Sequence, residues 1–543
     1  MSAMGEAYDY IVVGAGSAGS ILAARLSERP QTRVLLVEAG GSDNSFWLKI
    51  PIGYAKSYYN PQTNWMYWTE PEANVDGRKL YAPRGKVIGG SGAINAMIFV
   101  RGAREDFDDW RAAGNPGWGY DDVLPAFRRL ESHAGGASPW HGGDGPIAVT
   151  PMRDGIHPVS RAFLDGCKEI GLPENPDFNG ERIEGAGVYD INVRRGIRSS
   201  SSREYLRPAL RRPNLTVLKD TLVERVRIEA GRAVGIEVRR GTETRFIAAR
   251  GEVILSAGAF GTPTLLQLSG IGDGAHLASL GVATRHYLPA VGRNLQDHLC
   301  ASFYYESRVP TLNGPFASLF GQMRYAAQWA LTRSGPFAMS VNQAGGFLRG
   351  RPDAPRPNIQ LYFNPLSYRI PNDPNAGLKP EPYPGFLLCF NACRPTSRGT
   401  VMAASPDPGA APSIRPNYLS TEQDIAEVLE GARLMRRIAG SPAMRRITRE
   451  EREPSRDAVT DDELLAFFRA NCGSIYHPCG TAAMGPDPAT SVVDAKLRVH
   501  GIDRLRVADA SIFPNITSGN INAPTMMVAE MAAQVIAGGA RRS

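Results

Sequence analysis

The sequence predicts an α/β protein with a Rossmann-like nucleotide-binding domain that is split along the chain, and a second, mixed α/β domain. Three observations support this. A strand, a glycine-rich turn and a helix open the chain, strand patterns at 214–258 return to a buried strand, and residues 300–460 mix helical and strand patterns of another kind. The chain has 543 residues, which is enough for two or more domains.

The first element is a strand–turn–helix unit that carries Gly14-x-Gly16-x-x-Gly19. A β-rich run at 10–13 precedes it, a helical pattern follows it, and a second strand ends at Glu38. In this context the glycines permit a tight turn, a close approach to a pyrophosphate and close helix packing, while the helix N-terminus attracts phosphate. Glu38 is placed to accept hydrogen bonds from ribose hydroxyls. The unit predicts an ADP-containing cofactor, disfavours NADP, and does not separate FAD from NAD.

A cluster of glycines follows within residues 80–108, a stretch that lacks strand periodicity. Such a loop exposes backbone N–H groups and folds tightly over a planar or phosphorylated ligand. We therefore expect it to cover the cofactor. The glycines stand at positions 85, 89, 90 and 92.

The remaining elements of the nucleotide domain come from distant parts of the chain. Residues 214–258 alternate apolar and polar residues over several short stretches and end in a buried strand at 253–255. A strand at 505–508 and a helix that begins near Pro524 complete the pattern. A nucleotide domain interrupted by β insertions is typical of flavoproteins, and the last helix N-terminus suits a cofactor that gains negative charge on reduction.

Residues 300–460 predict the second domain, an antiparallel sheet plus helices. Strand patterns stand at 358–364 and 385–391, and helical patterns at 319–331 and 421–439. The helix at 319–331 could touch a membrane surface, but its thin polar face favours packing in the core. We assign residues 1–155, 196–300 and 461–543 to the nucleotide domain, and 156–195 and 301–460 to the substrate domain.

Composition excludes several classes of function. The net charge of +7 comes from scattered residues, and no dense basic tract is interleaved with aromatics, so nucleic-acid binding is not expected. The start of the sequence lacks a signal-peptide pattern. The cysteines form no CxxC pair, and reduced thiols in the cytoplasm are expected. They stand at positions 167, 300, 389, 393, 472 and 479.

The segment "SIYHPCGTAAMG" at 474–485 places His477 close to Cys479, with Pro478 between them. A thiol nucleophile needs a positioned base, and Pro478 does not align the pair. A metal site needs further ligands at metal spacing, and none is near, so no metal is expected. His477 is best interpreted as a proton-accepting base, with a purely structural role as the alternative. For His298, in "NLQDH", a structural role is favoured.

Six landmarks in order carry a family resemblance: the N-terminal fingerprint, "GKVIGGSGAIN…FVRG" (85–102), "GAFGTPTLLQLSGIG" (258–272), "VGRNLQDH" (291–298), "HPCGTAAMG" (477–485) and "GNINAP" (519–524). With these, nearly the whole chain resembles the glucose–methanol–choline (GMC) oxidoreductases, in the branch of bacterial choline, alcohol and sorbose dehydrogenases. The resemblance implies FAD, a split FAD-binding domain, a substrate domain over the isoalloxazine, and oxidation of an alcohol to a carbonyl.

The resemblance also implies roles for individual residues. His477 and Asn520 match the catalytic positions. His477 takes the hydroxyl proton as a hydride passes to flavin N5, and Asn520 bonds the substrate oxygen. Ile94 stands where some members link FAD to a histidine, so non-covalent FAD is expected. Expected FAD contacts are Gly14, Gly16, Ser17, Ala18, Gly19, Glu38, Ala39, Val87, Gly92, Asn95, Met97, Val223, Ala257, Asp509, Ala510 and Asn522.

The expected substrate pocket has uncharged walls formed by Phe363, Pro365, Tyr476 and Cys479. Choline would favour an acidic or aromatic cage, and an anion would favour Arg or Lys, so a neutral primary alcohol is predicted. Electrons are expected to leave to O₂ or to an external carrier such as a quinone, with the carrier favoured. Two alternatives remain open, a hydroxynitrile-lyase-like reaction and a non-catalytic flavin-binding module. Peripheral membrane contact and the oligomeric state are also left open.

Overall fold

The computed structural model describes residues 7–369 and 377–539. Within them the chain forms two seven-stranded sheets, each with its own hydrophobic core. One sheet is largely parallel with helices against it, and the other is antiparallel with helices packed on it. The predicted fold class, a split Rossmann-like domain with a second mixed α/β domain, is confirmed.

The first sheet has a parallel part made of short, almost wholly apolar strands. Residues 34–37, for example, read Val-Leu-Leu-Val and are all buried, as expected for a parallel strand covered on both faces. A three-stranded antiparallel meander extends the sheet on one side. In spatial order the strands are Leu215–Leu218, Val34–Val37, Ala7–Val13, Glu243–Leu255, Arg232–Arg240 and Leu222–Glu229, with Leu505–Val507 pairing parallel to the end of Glu243–Leu255.

Two helices from opposite ends of the chain cover this sheet. The helix Ser17–Leu26 begins directly after the glycine turn and packs against Asn522–Gly539. A Cβ atom on Gly19 would lie 1.8 Å from the carbonyl oxygen of Gly14, so only glycine allows this approach of helix and strand. The predicted function of that glycine, close packing, agrees with this contact.

The second sheet is antiparallel and carries the substrate side of the molecule. The helices Glu422–Ala439 and Pro158–Glu169 pack on it. The first of them is capped by Thr421, whose hydroxyl accepts a hydrogen bond from the Asp424 N–H. In spatial order the strands are Thr448–Arg452, Leu299–Ser307, Gly385–Ala392, Ile359–Asn364, Ala344–Leu348 and Gly185–Val188, with Gly473–Ser474 pairing to Leu299–Ser307.

The short strand Gly473–Ser474 belongs to the second sheet, although residues 461–543 were assigned to the nucleotide domain. The other strands of each sheet come from the segments expected for it, apart from Leu299–Ser307, which begins just before residue 301. In the described part of the chain, Ser202–Leu206 forms a π-helix, and the further α-helices of four or more residues are Phe46–Lys49, Tyr54–Ser57, Ser91–Ile94, Arg104–Ala112, Tyr120–Leu130, Gly258–Leu268, Gly274–Ser279, Asn313–Ala317, Leu319–Thr332, Pro442–Ile447 and Asp461–Asn471.

The helix Leu319–Thr332 forms where predicted, but the expectation that it packs in the core is wrong. Its inner side carries Trp329, which is buried, whereas Leu319, Phe320 and Leu331 are 74%, 76% and 84% exposed. The helix is apolar on more than one side, so its periodicity could not indicate which side faces the core. Within residues 7–369 and 377–539, we find no helix with the length and apolarity needed to span a bilayer.

Candidate active site

A cavity of about 600 Å³ runs between the two sheets. It begins where the parallel strands of the first sheet end, at Gly14, Glu38, Ala257 and Asp509, and it extends to His477. Ligands of open α/β sheets bind at the carboxyl ends of the strands, so this end of the cavity is the expected nucleotide site.

Glu38 is fixed at the nucleotide end. Its two carboxylate oxygens accept hydrogen bonds from the backbone N–H groups of Ala15 and Gly40, each at 2.8 Å. Burial raises the pKa of Glu38 to about 7, against the lowering effect of these two bonds. The remaining lone pairs of the carboxylate are available to ribose hydroxyls along the cavity.

The two glycine loops approach each other and the neighbouring backbone too closely for side chains at Gly14 and Gly90. Gly14 adopts φ +97°, and a Cβ atom there would lie 2.5 Å from the carbonyl oxygen of Ser256. Gly90 adopts φ +53°, and its Cβ atom would lie 2.7 Å from the Cα atom of Gly16. The two loops therefore meet at glycine backbones, which leaves N–H groups and space for a phosphate group. These residues fit FAD.

Most of the predicted FAD contacts line the cavity. Gly19 and Val87 do not: Gly19 packs against the backbone of Gly14, and Val87 is buried beside Leu48. The expected contacts that do line it are Gly14, Gly16, Ser17, Ala18, Glu38, Ala39, Gly92, Asn95, Met97, Val223, Ala257, Asp509, Ala510 and Asn522.

Asp297 holds the backbone around His477 in place. One of its carboxylate oxygens accepts from the N–H groups of His477 (2.8 Å) and His298 (2.9 Å). The other accepts from the hydroxyls of Tyr418 (2.6 Å) and Ser474 (2.5 Å). This buried carboxylate thus joins the loop of His298 to the loop of His477.

A chain of hydrogen bonds assigns the tautomers of both histidines. His298 Nε2 lies 2.8 Å from the Cys393 carbonyl oxygen, which only accepts, so Nε2 carries the proton. Burial lowers the pKa of His298 to about 4, so the ring is neutral and its Nδ1 accepts. His477 Nδ1, 2.9 Å away, must then donate. The lone pair of His477 is consequently on Nε2.

The side-chain amide of Asn520 contacts His477 at this lone pair. Its Nδ2 atom lies 3.1 Å from His477 Nε2, and its Oδ1 atom accepts from Gln360 Nε2 at 3.2 Å. The Gln360 contact fixes the amide so that its N–H group points to His477. His477 and Asn520, both predicted as catalytic, lie side by side and both line the cavity.

His477 is held in its neutral form. Burial lowers its pKa well below the usual value, and the neighbouring His298 and Arg84 lower it further. Arg84 lines the cavity and donates to the Tyr476 carbonyl oxygen at 2.7 Å. An unprotonated imidazole at this position can accept a proton from a bound hydroxyl group.

Of the residues predicted to form the substrate wall, only Tyr476 lines the cavity. Phe363 points to the opposite face of its strand, where it stacks on Phe163 with ring centroids 4.9 Å apart. Pro365 is buried outside the lining, and Cys479 is completely buried away from the cavity. Successive strand residues point to opposite faces, and Phe363 lies on the face that packs in the core of the second sheet, away from the cavity.

Other residues of the second sheet form this wall of the cavity. Tyr362 and Asn364 line the cavity on either side of Phe363, and Cys300, Ser302 and Tyr304 line it from Leu299–Ser307, two strands away in the same sheet. The alternation in "LCASFYY" was a signal that could have identified the latter three. Further lining residues that sequence reasoning missed are Tyr54, Tyr58, Arg84, Asn342, Tyr368 and Cys389.

The alternative chemistries of the 474–485 segment find no support here. Burial raises the pKa of the Cys479 thiol well above its usual value, which opposes a thiolate nucleophile. Among the residues that the structure describes, no cluster of His, Cys, Asp and Glu could hold a metal ion. A neutral histidine in a cavity that starts at a nucleotide cradle fits instead a nucleotide-dependent oxidoreductase.

The chain belongs to the GMC oxidoreductase family. The family's two models match residues 8–300 and 395–529. The expected FAD dependence and alcohol-oxidising class are thereby confirmed.

Individual relatives are similar over nearly the whole chain. The "oxygen-dependent choline dehydrogenase" of Photobacterium profundum is 42% identical over 98% of this chain and 94% of its own length. The crystal structure of pyridoxine 4-oxidase from Mesorbium loti is 32% identical, with a TM-score of 0.88, and covers 97% of this chain and 98% of its own. A formate oxidase structure is 26% identical, with a TM-score of 0.91, and covers 99% of both chains.

Proposed function

We propose that this protein oxidises a neutral primary alcohol to the aldehyde, that His477 accepts the hydroxyl proton, and that an external carrier takes up the electrons. The observation that carries the proposal is the lone pair on His477 Nε2, which lies beside Asn520 on the cavity wall. The lone pair is on Nε2 because His477 donates through Nδ1 to His298, and a substrate hydroxyl group would replace the Asn520 N–H group as its partner.

The residues divide the reaction between them. An aliphatic alcohol has a pKa far above 7, so its proton must leave as the carbonyl forms, and a neutral imidazole can accept it. Asn520 donates its N–H group to the same oxygen and cannot take the proton itself. Bound FAD supplies the acceptor for the α-hydrogen and its electron pair. The products are the aldehyde and a protonated His477.

The charges at the substrate end disfavour a cationic substrate. Among the described residues that line the cavity, the carboxylates are Glu38 and Asp509 alone, and both lie at strand ends on the nucleotide side. Arg84 brings a positive charge close to His477. A cationic substrate would lose its hydration beside this guanidinium without a carboxylate partner, which is unfavourable.

A second candidate substrate is a quaternary ammonium alcohol. Tyr58 lies between Tyr54 and Tyr476 with ring centroids 5.4 Å from each, and all three line the cavity. Aromatic rings bind quaternary ammonium groups through cation–π attraction. Relatives 42% identical to this chain are named choline dehydrogenases, which is consistent with this candidate.

An alcohol panel with a dye acceptor tests the substrate class. The panel contains benzyl alcohol, 4-hydroxymethylpyridine, medium-chain alkanols and choline, and anaerobic bleaching of the flavin is followed alongside turnover. We expect kcat/KM to be highest for a neutral primary alcohol. A higher kcat/KM for choline would replace the first candidate by the second.

The electron acceptor is tested separately. Substrate-reduced enzyme is mixed with air-saturated buffer, and reoxidation and peroxide are measured. We expect slow reoxidation in air and fast reoxidation by a soluble quinone analogue. Fast reoxidation in air with stoichiometric peroxide would identify an oxidase instead, while leaving the role of His477 unchanged.

A further inference from the structure

More than half of the exposed large apolar side chains of the described residues lie on two neighbouring helices. Across the described residues, eleven large apolar side chains are exposed, and six of them lie on two neighbouring helices, Leu319–Thr332 and Phe46–Lys49. We call these six the apolar face. Its members are Leu319, Phe320, Met323, Leu331, Phe46 and Trp47.

The apolar face is presented by a well-anchored helix. Phe320, Met323 and Leu331 follow one side of it at the spacing of helical turns. The opposite side carries Trp329, which is buried and whose indole N–H donates to the Gly196 carbonyl oxygen at 2.7 Å. The Phe46 ring lies 5.7 Å from the Trp329 ring, so the two helices are held together.

The charges around this face are cationic. No Asp or Glu occurs in the sequence between Glu306 and Asp353. Arg324 on the helix and Arg333 at its end are both exposed. Asp43, which precedes Phe46, is paired with Arg207 at 3.0 Å.

We propose that the apolar face docks on an anionic lipid surface. A helix with exposed Phe, Leu and Met side chains beside arginines lies in the plane of a membrane interface and gains both apolar burial and attraction to anionic headgroups. Its 14 residues span about 21 Å, so it lies on a bilayer and does not cross it.

Charge argues against a second copy of the chain as the occupant. A two-fold contact would press this face against itself and bring the arginines of both copies together in a desolvated interface. Anionic headgroups neutralise the same charges. The proposal goes beyond the proposed function and does not depend on it.

Vesicle sedimentation of the FAD-loaded enzyme tests the proposal. The probes are phosphatidylcholine vesicles and equimolar phosphatidylcholine–phosphatidylglycerol vesicles, each at low and high salt. We expect binding to the anionic vesicles that weakens with salt. Each substitution removes one apolar side chain from the lipid contact and adds a negative charge, so Phe320→Glu and Leu331→Glu should each weaken binding about tenfold or more.

Controls separate the surface from the fold and the reaction. Val459→Glu changes a side chain that is equally exposed but lies elsewhere, and it should leave vesicle binding unchanged. FAD content and dye-linked turnover in solution should be normal in every variant. Arg324→Gln with Arg333→Gln should reduce binding to anionic vesicles selectively.

Two results would overturn the proposal. One is the absence of wild-type binding to anionic vesicles. The other is a dimer in light scattering that Phe320→Glu or Leu331→Glu dissociates, which would assign the face to a second copy of the chain.

Discussion

The Nδ1 atoms of His298 and His477 lie 2.9 Å apart, so one imidazole must donate to the other. Neutral His298 has one ring N–H group, and that group donates to the Cys393 carbonyl oxygen, so His477 is the donor between the two rings. His298, for which the sequence suggested a structural role, therefore acts as a positioning residue: it orients the His477 ring and fixes its tautomer.

Replacing His477 with alanine should slow turnover by about 10²–10⁴, the usual contribution of a general base. Anaerobic stopped-flow reduction of the flavin by the best alcohol measures this step directly. His286→Ala, a change away from the cavity, serves as the control. An unchanged reduction rate in His477→Ala with normal FAD content would assign the proton to another group.

Replacing His298 with alanine removes the acceptor of the His477 Nδ1 proton. We expect flavin reduction about tenfold to a hundredfold slower, which corresponds to about 1.4–2.8 kcal/mol of transition-state stabilisation. The FAD content should stay normal. His298→Gln, which can both donate to Cys393 and accept from His477, should recover part of the rate, and equal losses in the two variants would contradict the positioning role.

The pH profile of kcat/KM should depend on Arg84. Activity needs neutral His477, and burial, His298 and Arg84 all lower the pKa of that ring, so the acid limb should lie below pH 6.5. Arg84→Met removes a positive charge, raises the pKa of His477 and should move the acid limb to higher pH. Arg84→Lys keeps the charge and should leave the limb in place. The electrostatic effect is refuted by an identical limb in all three enzymes.

The meeting of the two glycine loops can be tested with a matched pair of substitutions. Gly90→Ala adds a Cβ atom 2.7 Å from the Gly16 Cα atom at φ +53°, and Gly77→Ala adds one in open space at φ +66°. Both substitutions place alanine at positive φ, but Gly90 also has ψ −143°, a combination that only glycine adopts readily, and its added Cβ atom would push the two loops apart. We expect Gly90→Ala to lose most of its FAD absorbance and Gly77→Ala to retain it. Similar FAD contents in the two variants would contradict a role of this loop contact in FAD binding.

A buried histidine outside the active site should make stability depend on pH. His141 contacts carboxylates of Glu131 (3.1 Å) and Asp177 (2.9 Å), and these bonds outweigh burial and raise its pKa to about 9. The pKa is higher than in the unfolded chain, so the stabilisation is complete below about pH 6.5 and is lost as pH rises through 9. The Tm should therefore fall across this range in the wild type and less in His141→Gln, as measured by calorimetry. An equal fall of Tm with pH in the wild type and in His141→Gln would contradict the raised pKa of His141.

The sequence was most informative where backbone geometry limits the choice of residue. The Gly14–Gly19 turn and Glu38 could be predicted because few residues satisfy those conformations and contacts. His477 and Asn520 could be predicted from family motifs, although 43 residues separate them.

The substrate wall was mispredicted although the sequence carried a signal for it. The strand Ile359–Asn364 reads Ile-Gln-Leu-Tyr-Phe-Asn, and its alternation separates Phe363, in the core of the second sheet, from Tyr362 and Asn364, which line the cavity. The contact between His298 and His477 depends on how Asp297 joins two distant loops, and no local pattern in the sequence encodes it.

The segment that carries His477 is bonded to both sheets. Gly473 and Ser474 pair with a strand of the substrate sheet, and a few residues later Gly480 and Ala482 donate backbone N–H groups to the Ala510–Ser511 turn of the nucleotide domain. A movement of one domain relative to the other would therefore displace His477. This double attachment also limits the design of chimeras with relatives. A chimera that exchanges substrate domains should take residues 473–482 and Asp297 from the same parent. A junction inside that segment would separate His477 from its contacts with one of the two domains.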